Sequence, residues 1–318
     1  DVEFDVVEGL TADWSIMLGY TDGEGPFWGG SINQHNFLGT GNKVEASFTS
    51  SSSTQEYDFS YLNPYYTVDG VSLGVDLAYQ QRDYSEIDVS SYATDRVGLG
   101  MQFGYPLSND SKLSFNLGYE KIDLTLGSSV TDQLQDFVDT EGSEYTQYKA
   151  NIVYTDNSLN DFWYPTQGRS HTMNLFLSLP SSDLSYYQAK YGYRYFTPLD
   201  DTASYIASFG AQLGYADAYG STTITPPFAN YYAGGYGSVR GFEHNSLGPV
   251  ASDGTPMGGQ ILTTATGEFV FPMFADMPSV RTMLFMDVGN VFAQGGYSSA
   301  DLRASTGFSL AWLTPVGP

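Results

Sequence analysis

The 318-residue chain has no cysteine. Disulfide frameworks, thiolate metal sites and cysteine nucleophiles are therefore excluded. Charge is scarce: 15% of residues are Asp, Glu, Lys or Arg, against ~25% in ordinary soluble proteins. Basic residues are scarcest, 12 against 36 acids, for a net charge of −24. Such a surface repels phosphates and argues against a nucleic-acid partner. There are three histidines, His35, His171 and His244. None sits in an HExxH motif or a recognisable triad setting, so no enzyme is expected. No acidic loop has EF-hand spacing, and no loop is built to cradle phosphate, so neither metal, nucleotide nor other cofactor is expected. No apolar run approaches the ~18 residues of a spanning helix. The opening DVEFDVVEGL lacks the basic start and apolar core of a signal peptide, which leaves a cytoplasmic chain or a mature or excised piece of an exported one.

What the chain has is aromatic residues, 26 Tyr and 20 Phe among them, within a mean hydropathy slightly below zero. It also has alternation. In DWSIMLGY, Trp14, Ile16, Leu18 and Tyr20 share one face, and Ser15, Met17 and Gly19 the other. Val71, Leu73, Val75, Leu77 and Tyr79 alternate with Ser72, Gly74, Asp76 and Ala78. The same period recurs in LSFNLGYE (113–120), TMNLFLSL (172–179) and YIASFGAQLGY (205–215). A period of two means strands with two unlike faces. About fourteen strands of roughly 8–13 residues are expected. One short helix is expected in TDQLQDFV, 131–138.

A soluble sandwich alternates too, with its apolar face inward. Three features favour a transmembrane antiparallel β-barrel. The apolar stripes begin or end in Tyr, Trp or Phe, as interfacial girdles do. The opposite faces carry Ser, Gly, Asn and Gln with charges such as Glu45, Asp58, Asp76, Glu120 and Lys149, as a wet lumen would. The connections also differ by side. Six of the seven turns after even-numbered strands place a proline just past the strand: Pro64, Pro106, Pro165, Pro198, Pro272 and Pro315. Proline has no N–H to give a ladder and ends pairing. Connections after odd-numbered strands include long ones near 81–92, 126–143 and 216–259. Short turns on one rim and long loops on the other match the two ends of an outer-membrane barrel. The 216–259 segment far exceeds the ~12–15 residues of an ordinary loop, so it is expected to be functional.

The motifs NFLGTG (36–41), NPYYTVDGVSLG (63–74), YPTQG (164–168), FANYYAGG (228–235), SVRGF (238–242), GEFVFP (267–272), FMDVGNVF (285–292) and WLTPVGP (312–318) span nearly the whole chain. On them the sequence resembles the barrel domain of the BamA family of outer-membrane protein assembly factors, within the superfamily that joins POTRA domains to a barrel. Related translocation barrels share the arginine–glycine–phenylalanine motif; NFLGTG and NPYYTVDGVSLG favour the assembly family. The resemblance implies that residues 1–10 end a POTRA domain and 11–318 form the barrel, integral to the bacterial outer membrane. It implies that the long loop folds into the lumen on Val239, Arg240, Gly241 and Phe242, with Gly234 and Gly235 shaping its path. It also implies that Arg240 meets Glu268 and Asp287 on the inner wall. Strand parity independently turns both acids inward: Phe269 and Phe271 face lipid, as do Leu284, Met286 and Val288. An arginine fork binds carboxylates in a way lysine cannot.

The family continues past WLTPVGP with two more strands, so about sixteen are expected in a closed barrel, an even number. The resemblance further implies a weakly paired seam at the first strand, Trp14, Ser15, Ile16, Met17, Leu18, Gly19 and Tyr20. The eight residues of DWSIMLGY at ~3.4 Å each, tilted ~45°, cover only about 19 Å, less than the ~25 Å apolar band, so thinned lipid is expected there. The implied partners are the bilayer, unfolded outer-membrane protein clients and accessory lipoproteins, and the implied work is nucleotide-free insertion through the seam. The competing functions are a related translocation barrel, TamA-like or a two-partner secretion pore, and a passive porin, which needs no Arg240.

Overall fold

The computed structural model describes residues 9–312 apart from 22–23, 88, 90 and 274–278. Strands account for most of it. They are β1 (Ala12–Thr21), β2 (Gly25–Gln34), β3 (Lys43–Ser50), β4 (Thr54–Asn63), β5 (Ser72–Asp83), β6 (Tyr92–Pro106) and β7 (Ser111–Leu126). After the helix α1 (Asp132–Glu141) come β8 (Glu144–Asn157), β9 (Gly168–Ser178), β10 (Tyr186–Pro198), β11 (Ile206–Ala218), β12 (Ile261–Pro272), β13 (Val280–Phe292) and β14 (Arg303–Trp312). All lie in one sheet in chain order, each antiparallel to the next. Sequential antiparallel pairing follows from the short connections, since a parallel neighbour would need a crossover. The sheet is not closed: β1 and β14 are its edges, and no pairing joins them among the described residues.

The apolar stripes are not a packed centre. Trp14, Ile16, Leu18 and Tyr20 are 69–80% exposed, and Leu77, Leu99, Leu117, Phe209, Leu213 and Leu284 are also exposed. The accessible surface is 18228 Å², against about 13,000 Å² expected for a compact monomer of this size. A soluble sandwich would have buried these stripes. Bare on the convex side, they are the face that contacts lipid.

Buried apolar side chains collect in two other places. One is a cap at the long-loop rim, where Tyr92, Ile122, Tyr145, Leu184 and Tyr186 pack with Leu134 and Phe137 of α1. The helix forms because Thr131 caps it, its hydroxyl accepting from the Leu134 amide. Leu134 and Phe137 lie three residues apart and so face the cap together. The other is a small cluster of Ala233, Val239, Leu247, Leu262 and Val291, which seats the long loop on β12 and β13.

Several expectations change. Strands run from 8 to 16 residues, longer than 13 in β6, β7 and β8, because those three rise into the cap. The helix continues to Glu141, past the expected 138, since Gly142 is its C-cap. The long connection begins after Ala218 and ends before Ile261, slightly later than 216–259. Pro106, Pro198 and Pro272 are the last paired residues of their strands rather than the first beyond, a position where the missing N–H costs least. Pro165 lies well beyond β8, near the start of β9. The turn holding Pro315 lies outside the described residues.

Candidate functional site: the loop in the concave face and the first-strand edge

The connection between β11 and β12 crosses the concave, polar side of the sheet. Its path turns at Gly234, whose φ is +114° and where a Cβ would stand 2.3 Å from the Glu243 carbonyl oxygen. Only glycine fits both conditions. The Ser238 hydroxyl closes this turn, accepting from the Gly234 amide at 2.9 Å and donating to the Gly234 carbonyl at 3.1 Å. Gly235 follows, also at positive φ. Val239, fully buried, then locks the loop into the small apolar cluster, with Phe242 packed against it.

Arg240 lies between these two anchors. Its Nε donates to Asp287 Oδ2 at 2.7 Å and its Nη2 to Asp287 Oδ1 at 2.8 Å, a bidentate fork. Its Nη1 donates to Glu268 Oε1 at 2.7 Å, and Nη2 also reaches the Thr266 hydroxyl at 2.9 Å. The Arg240 backbone amide donates to Asp287 Oδ2 at 3.0 Å. Ser208 on β11 donates to the other Glu268 oxygen at 3.0 Å. Burial opposes the arginine's charge, but the bonds from Asp287 and Glu268 outweigh it and hold its pKa above the usual value. The site therefore keeps one cation against two anions, with every guanidinium nitrogen bonded.

The register explains why these groups meet. Thr266 on β12 stands opposite Asp287 on β13, and Glu268 opposite Phe285. All four project from the concave face. Phe285 lies under the guanidinium, its ring centroid 3.8 Å from Arg240 Cζ. It has room because its partner on β14 is Gly307, where a Cβ would stand 2.8 Å from the ring. Phe285, Thr266 and Ser208 were not singled out from the sequence. Parity puts Phe285 on the same face as Asp287, and that is the signal that could have found it.

The loop touches the far side of the sheet as well. Phe228 packs against Tyr145 and Tyr186, and Arg96 of β6 lies 4.7 Å over its ring. Gln188 donates to the Ala229 carbonyl at 2.7 Å, and the Tyr231 hydroxyl to the Ala189 carbonyl at 3.0 Å. Burial pushes the Tyr231 phenol up to about 12, so it stays a neutral donor. The loop thus bridges the sheet from β6–β10 to β12–β13.

At the edge, β1 spans Ala12–Thr21, ten residues rather than about eight. That length covers about 24 Å at a ~45° tilt, nearly the full apolar band. β1 alone therefore does not thin the bilayer. Its whole sector is short: β1 to β4 have 8–10 residues, against 14–16 in β6 to β8. Among the described residues β1 pairs with β2 alone, with the Ser15 and Ser31 hydroxyls 2.9 Å apart across the pair. Met17 and Gly19 share the inner face with Ser15, and the Phe27 ring lies over Gly19.

A lipid-exposed antiparallel sheet with a polar concave face, filled by a loop pinned through a buried arginine, defines an outer-membrane type of β-barrel with an occupied lumen. The chain belongs to the Omp85 superfamily: the model of the Omp85 superfamily domain matches residues 36–318. It is 29% identical to the outer membrane protein assembly factor BamA of Neisseria meningitidis, over all of this chain and 45% of that protein. It superposes on BamA from Haemophilus ducreyi lacking POTRA domains 1–3, with a TM-score of 0.90 and 27% identity, covering 98% of this chain and 66% of that one. CdiB from Acinetobacter baumannii shares the fold at a TM-score of 0.57 and 13% identity, over 96% of this chain and 53% of that one. The chain spans about half the length, or less, of the curated relatives it matches. It is an integral outer-membrane β-barrel chain.

Proposed function

We propose that this chain is the membrane barrel of an assembly factor that folds and inserts outer-membrane β-barrel clients. The observation that carries the reading is similarity to BamA along the whole chain, at a TM-score of 0.90. The physics is supplied by a seam at β1. Where that seam opens, β1 offers a row of N–H and C=O groups that a client strand can pair with. In lipid those groups have no water to bond, so capture of a client strand is favourable without nucleotide. The Arg240 fork holds the loop inside, so the wall keeps its shape while the edge exchanges partners. It is a structural brace, and no catalytic step is required of it.

In this reading residues 1–10 end a POTRA domain that delivers clients to the barrel; residues 1–8 lie outside those described. Accessory lipoproteins are the expected partners on that side. The test is insertion of an unfolded outer-membrane protein into liposomes carrying the full-length protein, without nucleotide. Accelerated appearance of the folded client supports the reading. A large steady conductance with client folding no faster than in empty liposomes contradicts it and favours a porin.

A further inference from the structure

The turn between β8 and β9, residues 158–167, does not stay at its own place on the rim. Tyr164 reaches β13. Its ring lies 4.5 Å from Arg281 Cζ, and Arg281 Nη1 donates to the Tyr164 and Pro165 carbonyls at 3.3 and 3.5 Å. The Tyr164 hydroxyl donates to the Ser279 carbonyl at 3.2 Å. Strands β10, β11 and β12 lie between β9 and β13 in the sheet. At ~4.8 Å per strand the wall path is about 19 Å. A turn that touches β13 must therefore cut across the mouth as a chord.

The turn is built to hold that shape. Asn160 Oδ1 accepts from the Thr166 and Gln167 amides at 2.9 and 3.1 Å. Asp161 Oδ1 accepts from the Trp163 and Tyr164 amides at 2.8 and 2.6 Å. The latch is on the concave side: Arg281 shares parity with Phe285 and Asp287. One face of β13 thus holds both the long loop, through Asp287, and this turn, through Arg281. The long-loop end already has its cap of buried aromatics.

We propose that residues 158–167 form a strap across the short-turn mouth, latched on Arg281, that restricts ion flow through the lumen independently of the Arg240 anchor. Among the described residues the latch includes one cation–π contact and three bonds to carbonyls, with no carboxylate within ion-pair distance of Arg281, and so is releasable. The short-turn rim is the periplasmic end in outer-membrane barrels, so release would open the lumen toward arriving clients.

The test is conductance of the full-length protein in planar bilayers, with the gel mobility of unheated samples as the measure of fold. Arg281→Ala is expected to give larger and more frequent openings than wild type, with folded mobility retained. Tyr164→Leu is expected to do the same, and the double variant no more than either single, since both break one latch. If Arg281→Ala does not fold, Tyr164→Leu carries the same comparison. Wild-type conductance in a folded variant overturns the strap, as does a double variant whose effect is the sum of the two singles.

Discussion

Arg240 makes five hydrogen bonds at distances of 2.7–3.0 Å, and their distribution is uneven. Asp287 takes three of them and is 1% exposed; Glu268 takes one, and its side chain is 17% exposed. Removing charge from the two acids should therefore not cost the same. Glu268→Gln gives up one charge-assisted bond, worth about 1.5 kcal/mol. Asp287→Asn disturbs the fork and the backbone contact together, and should cost about twice as much on the same basis. Thermal loss of folded gel mobility in detergent measures both. Equal shifts, or a larger one for Glu268→Gln, would show that the fork is not the principal bond. Arg240 and its two acids were legible in the sequence, because the family resemblance implies the cation and both acids and strand parity independently turns those acids inward. Thr266 and Ser208 were not, since polar residues on a wet face carry no pattern that separates a partner from a neighbour.

Among the elements, α1 and the β1 edge do opposite things. The helix adds buried surface at a rim where strands alone leave the lumen open. Its Phe137 is fully buried against Tyr145. Phe137→Ala should destabilise the cap by about 3–5 kcal/mol through the cavity it leaves. Thr131→Ala should cost about 1 kcal/mol through the lost helix cap. Limited proteolysis of the intact protein should then cut residues 127–143 faster, and the Phe137 variant should be cut faster than the Thr131 variant. Cleavage of both at the wild-type rate would mean that the helix is not held by the cap. The helix was legible from TDQLQDFV because its apolar residues change period from two to three or four. Its cap partners were not, because Tyr92 at the start of β6, Tyr145 in β8 and Leu184 between β9 and β10 lie far apart in the sequence. The lengths of β6, β7 and β8 were misjudged for the same reason: their upper ends alternate as the membrane portions do, and only the cap reveals that they leave the bilayer.

For the whole molecule, the decisive contrast is between two ways of using the same alternation. A sandwich turns its stripes together; here they stay bare over the convex side while polar residues line the concave side. Composition, girdle aromatics and connection lengths made this legible in the sequence. The chord taken by residues 158–167 was not legible, because YPTQG reads as a turn signal and nothing local says how far it reaches. One loop arginine is energetically joined to the inner wall. A double-mutant cycle on Arg240→Ala and Asp287→Ala, read from unfolding midpoints of the full-length protein in detergent, tests it most directly. A coupling energy of about 1–3 kcal/mol is predicted, as for residues in one bonded network. Strictly additive effects of the two substitutions would contradict it.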